Sequence, residues 1–393
     1  MRNIFLPFSP PLLGDEEIAE VLDTLRSDWI TTGPKVKRFE QEFTAYIGAP
    51  AALAVSSATD AMLVGLAALG VGPGDEVITT PMTFCSTVHV IEHLGARPVL
   101  VDVAPDTLNI ASDQVARAIT PRTRGIMPVH LYGHPCEMDT LCALAEQYNL
   151  FILEDAAHSL PARYHGRMIG ALRDQGAGGR EQLTAFSFYA TKNLTTAEGG
   201  MLTGEQELID RARIWSLHGM SRDAYKRYSA EGSWYYEVIL PGFKCNMTDI
   251  QAALGLQQLK KLDGFQVRRR EIVRRYNTAL VGCDALQTPV ERPDVESAWH
   301  IYALRLNLDR LTIDRARFIE ELKARNIGTS VHFIPIHLHP YYRDKYGYKP
   351  DDFPVAYRGY QRLISLPLNL RLNDDDVQDV IDAVLDIVEK NER

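Results

Sequence analysis

Lys192 stands in the surroundings that most favour covalent chemistry in this chain. It follows the aromatic, apolar segment FSFY at residues 186–189 and precedes a small, glycine-containing stretch at residues 194–200. Partial burial of its side chain would disfavour the ammonium form and leave a neutral, nucleophilic amine. Such an amine can form an imine with a carbonyl group. These features predict Schiff-base chemistry at Lys192, with Ser187 nearby as a candidate phosphate ligand.

Asp155 is the second candidate, because it ends the apolar run LFILED at residues 150–155. A carboxylate buried at a strand end needs a cationic or hydrogen-bonding partner. The protonated nitrogen of a pyridine ring is such a partner, and the pairing keeps the ring an effective electron sink. His158 could reach the same ring. The alternative interpretation is structural: Asp155 would cap a helix, and His158 would be satisfied within the protein.

Two further segments could hold a flat, phosphorylated ligand. In VSSATDA at residues 55–61 a strand is predicted to end and a helix to begin, and the free N–H groups of a helix start favour phosphate. Thr59 could add its hydroxyl there. Phe84, after the apolar run at residues 76–80, could stack on a ring. Each feature alone also has a structural explanation, as a helix cap or as a core aromatic.

The segments that would position these residues alternate between two patterns from residue 51 to residue 155. Short apolar runs rich in valine and isoleucine predict buried strands, and the stretches between them have helical spacing. The predicted helices cover residues 58–69, 87–94, 112–119 and 139–148. This alternation predicts a mostly parallel sheet covered on both faces. Ligands of such sheets bind beyond the carboxyl ends of the strands, where the candidate residues are expected.

The rest of the chain predicts two more strands around Lys192 and then a smaller unit. The predicted elements are strands at residues 183–188, 199–204, 300–306 and 329–333, and helices at residues 248–280, 313–325 and from 374 onwards. We therefore expect an α/β protein with a large, mostly parallel sheet domain at residues 1–250. A small α+β domain should follow at residues 251–393.

Composition excludes several classes of protein. The chain has 393 residues, of which 46% are hydrophobic and 24% are charged, and this is an ordinary globular composition. A net charge of −9 disfavours nucleic acid as a partner. The 5 cysteines include no CxxC pair and predict free thiols in a reducing compartment. No signal-like start and no apolar run of about 20 residues is found, so we expect a cytoplasmic protein without a membrane span.

Two other patterns in the sequence could suggest ligand sites. The histidines at 332, 337 and 339 could suggest a metal, but no carboxylate completes the set at a usual spacing, and no metal is expected. The glycines at residues 174–180 are similar to those of a nucleotide-binding loop. No helical pattern follows them, which argues against that function.

The order of these motifs resembles the sugar-nucleotide aminotransferases of the DegT/DnrJ/EryC1/StrS family over nearly the whole chain. The motifs that carry the resemblance are WITTGPKVKRFEQEF, SSATDAM, GDEVITTPMTF, ITPRTRGIMPVHLYG, EDAAHS, FSFYATKN, EGGML, GFKCNMTDIQAALGL, VHFIPIHLHPYY and SLPL. The resemblance implies the aspartate aminotransferase-like fold (fold type I) and the cofactor pyridoxal 5′-phosphate (PLP), with pyridoxamine 5′-phosphate (PMP) as its second form. It also implies a homodimer with shared active sites.

The resemblance gives each candidate residue a role. Lys192 would form the imine with PLP, Asp155 would pair with the ring nitrogen, and His158 would lie near O3′ of the ring. The other cofactor contacts would be Phe84 on the ring face and, around the phosphate, Thr59, the backbone of Asp60, Ser187 and Asn246 of the partner subunit. Candidate substrate contacts, by position in the matching segments, are Thr32, Gly33, Lys35, His332 and His337.

The resemblance implies amino transfer from L-glutamate, which leaves as 2-oxoglutarate, to a 4-keto sugar carried on a nucleotide, with UDP expected. Lys192 would move the proton as general base and acid. Near relatives carry tryptophan at the position of Phe84 and differ around His337, so the sugar stays open. The alternatives are amination at C3 of a dTDP-keto sugar, a PLP-dependent dehydratase or lyase, and a non-enzymatic dimer.

Overall fold

The computed structural model of the protein describes residues 2–172, 181–220 and 235–393. The glycine-rich segment at residues 174–180 lies outside the described residues. The strands, in chain order, are β1 (Ala51–Val55), β2 (Glu76–Thr79), β3 (Arg97–Leu100), β4 (Thr123–Ile126), β5 (Phe151–Asp155), β6 (Arg163–Tyr164), β7 (Arg167–Met168), β8 (Gln182–Ser187), β9 (Gly200–Gly204), β10 (Leu286–Gln287), β11 (Val295–Glu296), β12 (Tyr302–Leu306) and β13 (Leu363–Leu366).

The α-helices lie between and around these strands. In chain order they are α1 (Asp15–Arg26), α2 (Pro34–Ile47), α3 (Ala58–Ala68), α4 (Ser86–His93), α5 (Ser112–Ala118), α6 (Met138–Tyr148), α7 (Gln206–Ser216), α8 (Asp249–Leu280), α9 (Arg315–Ala324), α10 (Pro340–Tyr346), α11 (Pro354–Arg362) and α12 (Asp374–Asn391). None of the helices in the described part of the chain is long and apolar enough to cross a membrane.

A seven-stranded sheet organises the first part of the described chain, in the order β1-β9-β8-β5-β4-β2-β3. Strand β9 is antiparallel to both its neighbours, and the other pairs are parallel. The expected mostly parallel sheet is confirmed. Because β1 and β8 are both antiparallel to β9, they run in the same direction as β5. The carboxyl ends of β1, β5 and β8 therefore meet at one edge of the sheet.

Helices cover both faces of this sheet, and neighbouring residues of a strand feed opposite cores. Ile152 packs into the core beneath α2, α6 and the first half of α8, whereas Leu153 packs into the core beneath α3 and α7. This alternation is the period-2 geometry of a strand that is buried on both sides. It explains why these strands are apolar throughout in sequence.

The C-terminal part has its own antiparallel sheet, in the order β10-β12-β13, with a core shared by α9 and α12. Helix α8 contributes to both parts, since Leu256 lies in a core of the first sheet and Tyr276 in the core of the second. The boundary near residue 250 falls at the start of this helix and stays a prediction. The predicted strand at residues 329–333 is wrong: of these residues only Ser330 makes a bridge, to Ser365, because His332 and Phe333 turn towards a cavity.

Candidate active site

A cavity of about 470 Å³ lies at the carboxyl edge of the large sheet, where the C-terminal part packs against it. Its size suits a small organic ligand. The candidate residues that line it are Thr59, Phe84, Asp155, His158, Ser187, Lys192 and His332. The structure therefore brings together seven side chains from five separate stretches of the sequence, and most of them stand at strand ends.

Lys192 lies in the loop that follows β8, where its backbone N–H donates to the Tyr189 carbonyl at 2.9 Å. Burial lowers the pKa of its side chain to about 8, although the nearby carboxylate of Asp155 opposes that change. The lower pKa leaves a useful fraction of neutral amine near neutral pH. The neutral amine is the nucleophilic form that Schiff-base chemistry at Lys192 requires.

Asp155 ends β5 and is held by two neutral donors. The Thr87 hydroxyl donates to Oδ2 at 2.7 Å, and the Ala157 N–H donates to Oδ1 at 3.1 Å. Burial raises the pKa of this carboxyl, so a cationic ligand group would stabilise its ionised form. A protonated pyridine nitrogen fits that requirement. No helix begins at Asp155, so the helix-cap alternative is wrong.

His158 presents a hydrogen-bond donor to the cavity. The Tyr132 N–H donates to Nδ1 of His158 at 3.3 Å, so a neutral ring carries its proton on Nε2. Burial lowers the pKa of His158 well below its usual value, and the charge of Lys192 lowers it further. The ring lies between those of His300 and Phe333, at centroid distances of 4.6 and 5.7 Å. Burial therefore keeps His158 neutral, and its hydrogen bond and ring contacts fix its orientation.

The start of α3 forms a cradle for a phosphate. Ser57 caps the helix by accepting the Asp60 N–H at 3.0 Å, and Ala58 and Thr59 in the first turn line the cavity beside Ser187. First-turn N–H groups have no acceptor within the helix and favour an anion. Gly200 passes so close to the Ser57 backbone that a Cβ there would clash with it. The donor set therefore fits the phosphate of PLP.

Asp60 itself is turned away from the cavity. Its carboxylate accepts hydrogen bonds from the hydroxyls of Ser56 and Ser57, at 2.6 and 2.8 Å, and from the Cys245 thiol at 3.3 Å. Its backbone N–H is used by the helix cap. A direct phosphate contact from the Asp60 backbone stays a prediction.

Phe84 stands at the mouth of the cavity with 58% of its surface exposed. Its ring centroid is 5.9 Å from that of Phe333. The core alternative for Phe84 is wrong, because an exposed ring contributes little to the core. An exposed ring facing a cavity is available for stacking on a flat ligand.

The two histidines proposed for the substrate lie in different surroundings. His332 lines the cavity, hydrogen-bonds to the Ser365 hydroxyl at 2.8 Å and stacks on Phe8. Burial lowers the pKa of His332 to about 4, with a further contribution from the charge of Lys192. His337 is fully buried against the ring of Phe353 and does not line the cavity. No metal-binding group of three or more His, Cys, Asp or Glu side chains forms within the described ranges.

Thr32 and Asn246 lie together, away from the cavity of their own chain. The Asn246 side-chain amide donates to the Thr32 hydroxyl at 2.5 Å, and that hydroxyl donates to the Met247 carbonyl. Asn246 also bridges to Val55 at the end of β1. These two residues therefore form a patch beside the phosphate cradle, but outside it.

Gly33 and Lys35 belong to the start of α2. The Asp249 carboxylate accepts the N–H groups of both, at 2.9 and 3.0 Å. The Lys35 ammonium is paired with Glu20 at 2.8 Å and Asp23 at 2.7 Å. Neither residue lines the cavity of its own chain.

Several residues of the site were not identified from the sequence, notably His300 and Phe333, which line the cavity, and Thr87, which lies behind its wall and contacts Asp155. Thr87 stands three residues after Phe84 at the start of a predicted helix, and Phe333 follows His332 directly. Proximity to a candidate could have drawn attention to both. The position of His300 at the start of a predicted strand gave no such signal.

Comparisons with known proteins show the family of the chain. The family model for the DegT/DnrJ/EryC1/StrS aminotransferase family matches residues 11–385. The chain is 54% identical over 389 residues to the spore coat polysaccharide biosynthesis protein SpsC of Bacillus subtilis, and the match covers 98% of each protein.

Solved structures of similar fold include proteins described as sugar aminotransferases. Spr1654 of Streptococcus pneumoniae, solved in PLP and PMP forms, is 37% identical with a TM-score of 0.89, covering 98% of this chain and 99% of that one. PseC of Helicobacter pylori, an aminotransferase involved in the biosynthesis of pseudoaminic acid, is 28% identical with a TM-score of 0.88, covering 99% and 100%. The chain belongs to the DegT/DnrJ/EryC1/StrS aminotransferase family, with the fold and the PLP cofactor of these transaminases.

Proposed function

We propose that this aminotransferase moves an amino group from L-glutamate to a nucleotide-linked 4-keto sugar, with UDP as the expected nucleotide. The observation that carries the proposal is the grouping of Lys192, Asp155 and His158 in one cavity, with a lysine pKa of about 8. A non-enzymatic binding module has no need for a lysine of lowered pKa next to a buried carboxylate.

PLP, when bound, supplies a carbonyl carbon for amine attachment and a ring that stores negative charge. Lys192 would hold the cofactor through its amine, and as general base and acid the same amine would carry the proton during amino transfer. Asp155 would keep the ring nitrogen protonated by pairing with it. His158 would donate from Nε2 to the ring oxygen and so orient the ring in the cavity.

The remaining cofactor roles follow from the positions of the residues. Thr59, Ser187 and the first turn of α3 would hold the phosphate, and Phe84 would cover the ring face at the mouth. His332 is the candidate substrate contact that lines the cavity. As a neutral histidine it suits a sugar hydroxyl better than it suits a charged group.

The charge balance of the cavity supports a shared site. Among the residues that line it, all in the described part of the chain, Lys192 is the only lysine or arginine. A nucleotide diphosphate would therefore need further donors, and a second copy of the chain could bring Asn246 and Thr32 to the rim. Helix α1 exposes Ile18, Leu22 and Leu25 on one face, an apolar row that a second copy could cover.

A complementation experiment tests the shared site. Lys192→Ala and Asn246→Asp, each nearly inactive alone, are mixed under conditions that exchange subunits. If Asn246 serves the partner subunit, mixed dimers have one intact site and activity returns. If each subunit uses its own Asn246, no intact site forms and the mixture stays inactive. Sedimentation of the wild-type protein checks that it is a dimer.

The substrate is tested by supplying glutamate with a panel of UDP- and dTDP-keto sugars and determining the products by NMR. An amine at C4 of a UDP sugar supports the proposal. An amine at C3 of a dTDP sugar would show that the substrate is a dTDP-keto sugar aminated at C3 instead. A deoxygenated sugar without a new amine would indicate a dehydratase or lyase. A cytoplasmic location stays a prediction, supported by the 5 free cysteines.

A further inference from the structure

Three buried polar side chains form a chain of hydrogen bonds at the inner wall of the cavity. The hydroxyl oxygens of Thr83 and Thr87 are 2.6 Å apart, and the Thr87 hydroxyl is 2.7 Å from Oδ2 of Asp155. The exposed fractions of the three residues are 2%, 0% and 4%. Water therefore has little access to replace a lost hydroxyl.

The direction of this chain follows from the number of hydrogens. A threonine hydroxyl has one hydrogen, and an ionised carboxylate can only accept. Thr87 must then give its hydrogen to Asp155, so its oxygen accepts from Thr83. The donors run in one order, from Thr83 to Thr87 to Asp155, and successive hydrogen bonds of this kind strengthen one another.

The three residues come from separate elements. Thr83 lies in the loop after β2, Thr87 in the first turn of α4, and Asp155 at the end of β5. Thr83 and Asp155 line the cavity, whereas Thr87 is not among the lining residues. Any influence of Thr87 on a ligand must therefore pass through these two hydrogen-bond partners, and Asp155 is the one that carries a charge.

We propose that Thr87 is a positioning residue: it orients the Asp155 carboxylate towards the ring nitrogen of PLP, and Thr83 orients Thr87 in turn. The inference rests on the proposed function only in so far as Asp155 pairs with that nitrogen. The Thr87 hydroxyl donates a hydrogen bond to Oδ2 of Asp155, and the Ala157 N–H donates one to Oδ1. One fixed donor on each oxygen sets the plane of the carboxylate and leaves lone pairs for the ligand.

The test compares the binding of two ligands by the wild-type protein and its variants. Wild-type protein, Thr87→Val, Thr87→Ser and Thr83→Val are freed of cofactor and titrated with PLP. They are then titrated with the PLP analogue that has carbon in place of the ring nitrogen. Valine has nearly the shape of threonine but no hydroxyl, and serine keeps the hydroxyl. Circular dichroism checks the fold, and Thr87→Ala serves as a second hydroxyl-free variant.

We expect Thr87→Val to weaken PLP binding by about tenfold or more, since the lost hydrogen bond is to a charged group. Thr83→Val should have a smaller effect, and Thr87→Ser should bind like wild type. With the carbon analogue, Thr87→Val and wild type should bind alike, because the analogue has no nitrogen to pair with Asp155.

Two outcomes would overturn the inference. Wild-type affinity of Thr87→Val for PLP would show that its hydroxyl does not act on the ring nitrogen. An equal loss of affinity for both ligands would show that the valine acts through packing. A wild-type protein that binds neither ligand would overturn the proposed function as well, so the two failures can be told apart.

Discussion

The two walls of the cavity are built in different ways. The strand-end wall consists of Thr59, Asp155, Ser187 and Lys192, and the histidine wall consists of His300, His332 and Phe333. Backbone pairing in the large sheet places the first wall, with Asp155 opposite Ala185 in the register of β5 and β8. Side-chain partners place the second, such as Asn193 for His300 and Ser365 for His332.

The walls also differ in charge. The strand-end wall has one amine and one carboxylate whose pKa values move towards each other, because burial lowers that of Lys192 and raises that of Asp155. Burial lowers the pKa values of His300 and His332, so the histidine wall is neutral. We therefore propose that the strand-end wall serves the cofactor and its proton transfers, while the histidine wall serves the neutral sugar.

Removing Lys192 from the strand-end wall should have the largest effect on turnover. Lys192→Ala lacks the amine that attaches the cofactor and carries protons, so turnover should fall by at least about 10²- to 10⁴-fold. The measurement is amine product formed from glutamate and a keto sugar, with circular dichroism as the fold control. Borohydride reduction of the wild-type holoenzyme should leave the pyridoxyl group on the Lys192 peptide. Amination at the normal rate by the variant would contradict the mechanism.

The pH dependence of Lys192 reactivity should be the next largest effect. Only the neutral amine reacts with an acylating reagent, so in cofactor-free protein labelling of Lys192 should rise with pH around a midpoint of about 8. At pH 7 it should exceed that of an exposed lysine by about a hundredfold. Peptide mass spectrometry provides the measurement. Asp155→Asn should lower the midpoint further, since the carboxylate raises the lysine pKa, and an unchanged or higher midpoint would refute this account.

Substitutions on each wall should separate cofactor binding from sugar binding. His332→Phe keeps an aromatic ring against Phe8 but removes the hydrogen-bonding nitrogens, so KM for the sugar should rise by about tenfold. Its affinity for PLP should stay at the wild-type value. Ser187→Ala is the matched variant on the strand-end wall and should weaken PLP binding with little change in KM. The opposite pattern would mean that the assignment of the walls is reversed.

The smallest effect is expected at Lys35, outside both walls. Its ammonium is already paired with Glu20 and Asp23, so Lys35→Met should change KM by no more than about twofold. Thermal unfolding should show a small loss of stability, absent from Lys37→Met, an exposed control on the same helix. A large rise in KM would indicate that Lys35 leaves these carboxylates to bind substrate.

Local sequence patterns were sufficient to predict the residues of the strand-end wall. Lys192, Asp155 and Ser187 were recognisable because a strand end and the apolar run before it lie within a few residues of each other. The start of α3 was recognisable for the same reason, since Ser57 caps it through Asp60 three residues later. Short-range geometry of this kind depends little on the rest of the fold.

Local sequence patterns gave wrong predictions where the structure depends on contacts between residues far apart in the chain. The predicted strand at residues 329–333 was wrong because packing against the large sheet turns His332 and Phe333 towards the cavity. His337, like His332, lies between two apolar residues in the sequence, yet it packs against Phe353 in the protein interior. A local pattern does not distinguish a histidine that faces a cavity from one that faces a core.

The sequence by itself determined the class of fold, the strand ends and the family, because these depend on periodicity and on ordered motifs. Only the tertiary structure decided which residues meet. Thr87 reaches Asp155 across 68 positions, and Tyr132 reaches His158 across 26, so both contacts depend on how helices and loops pack on the sheet. Packing also decided the lysine pKa, since burial is a property of the folded chain and not of neighbouring residues.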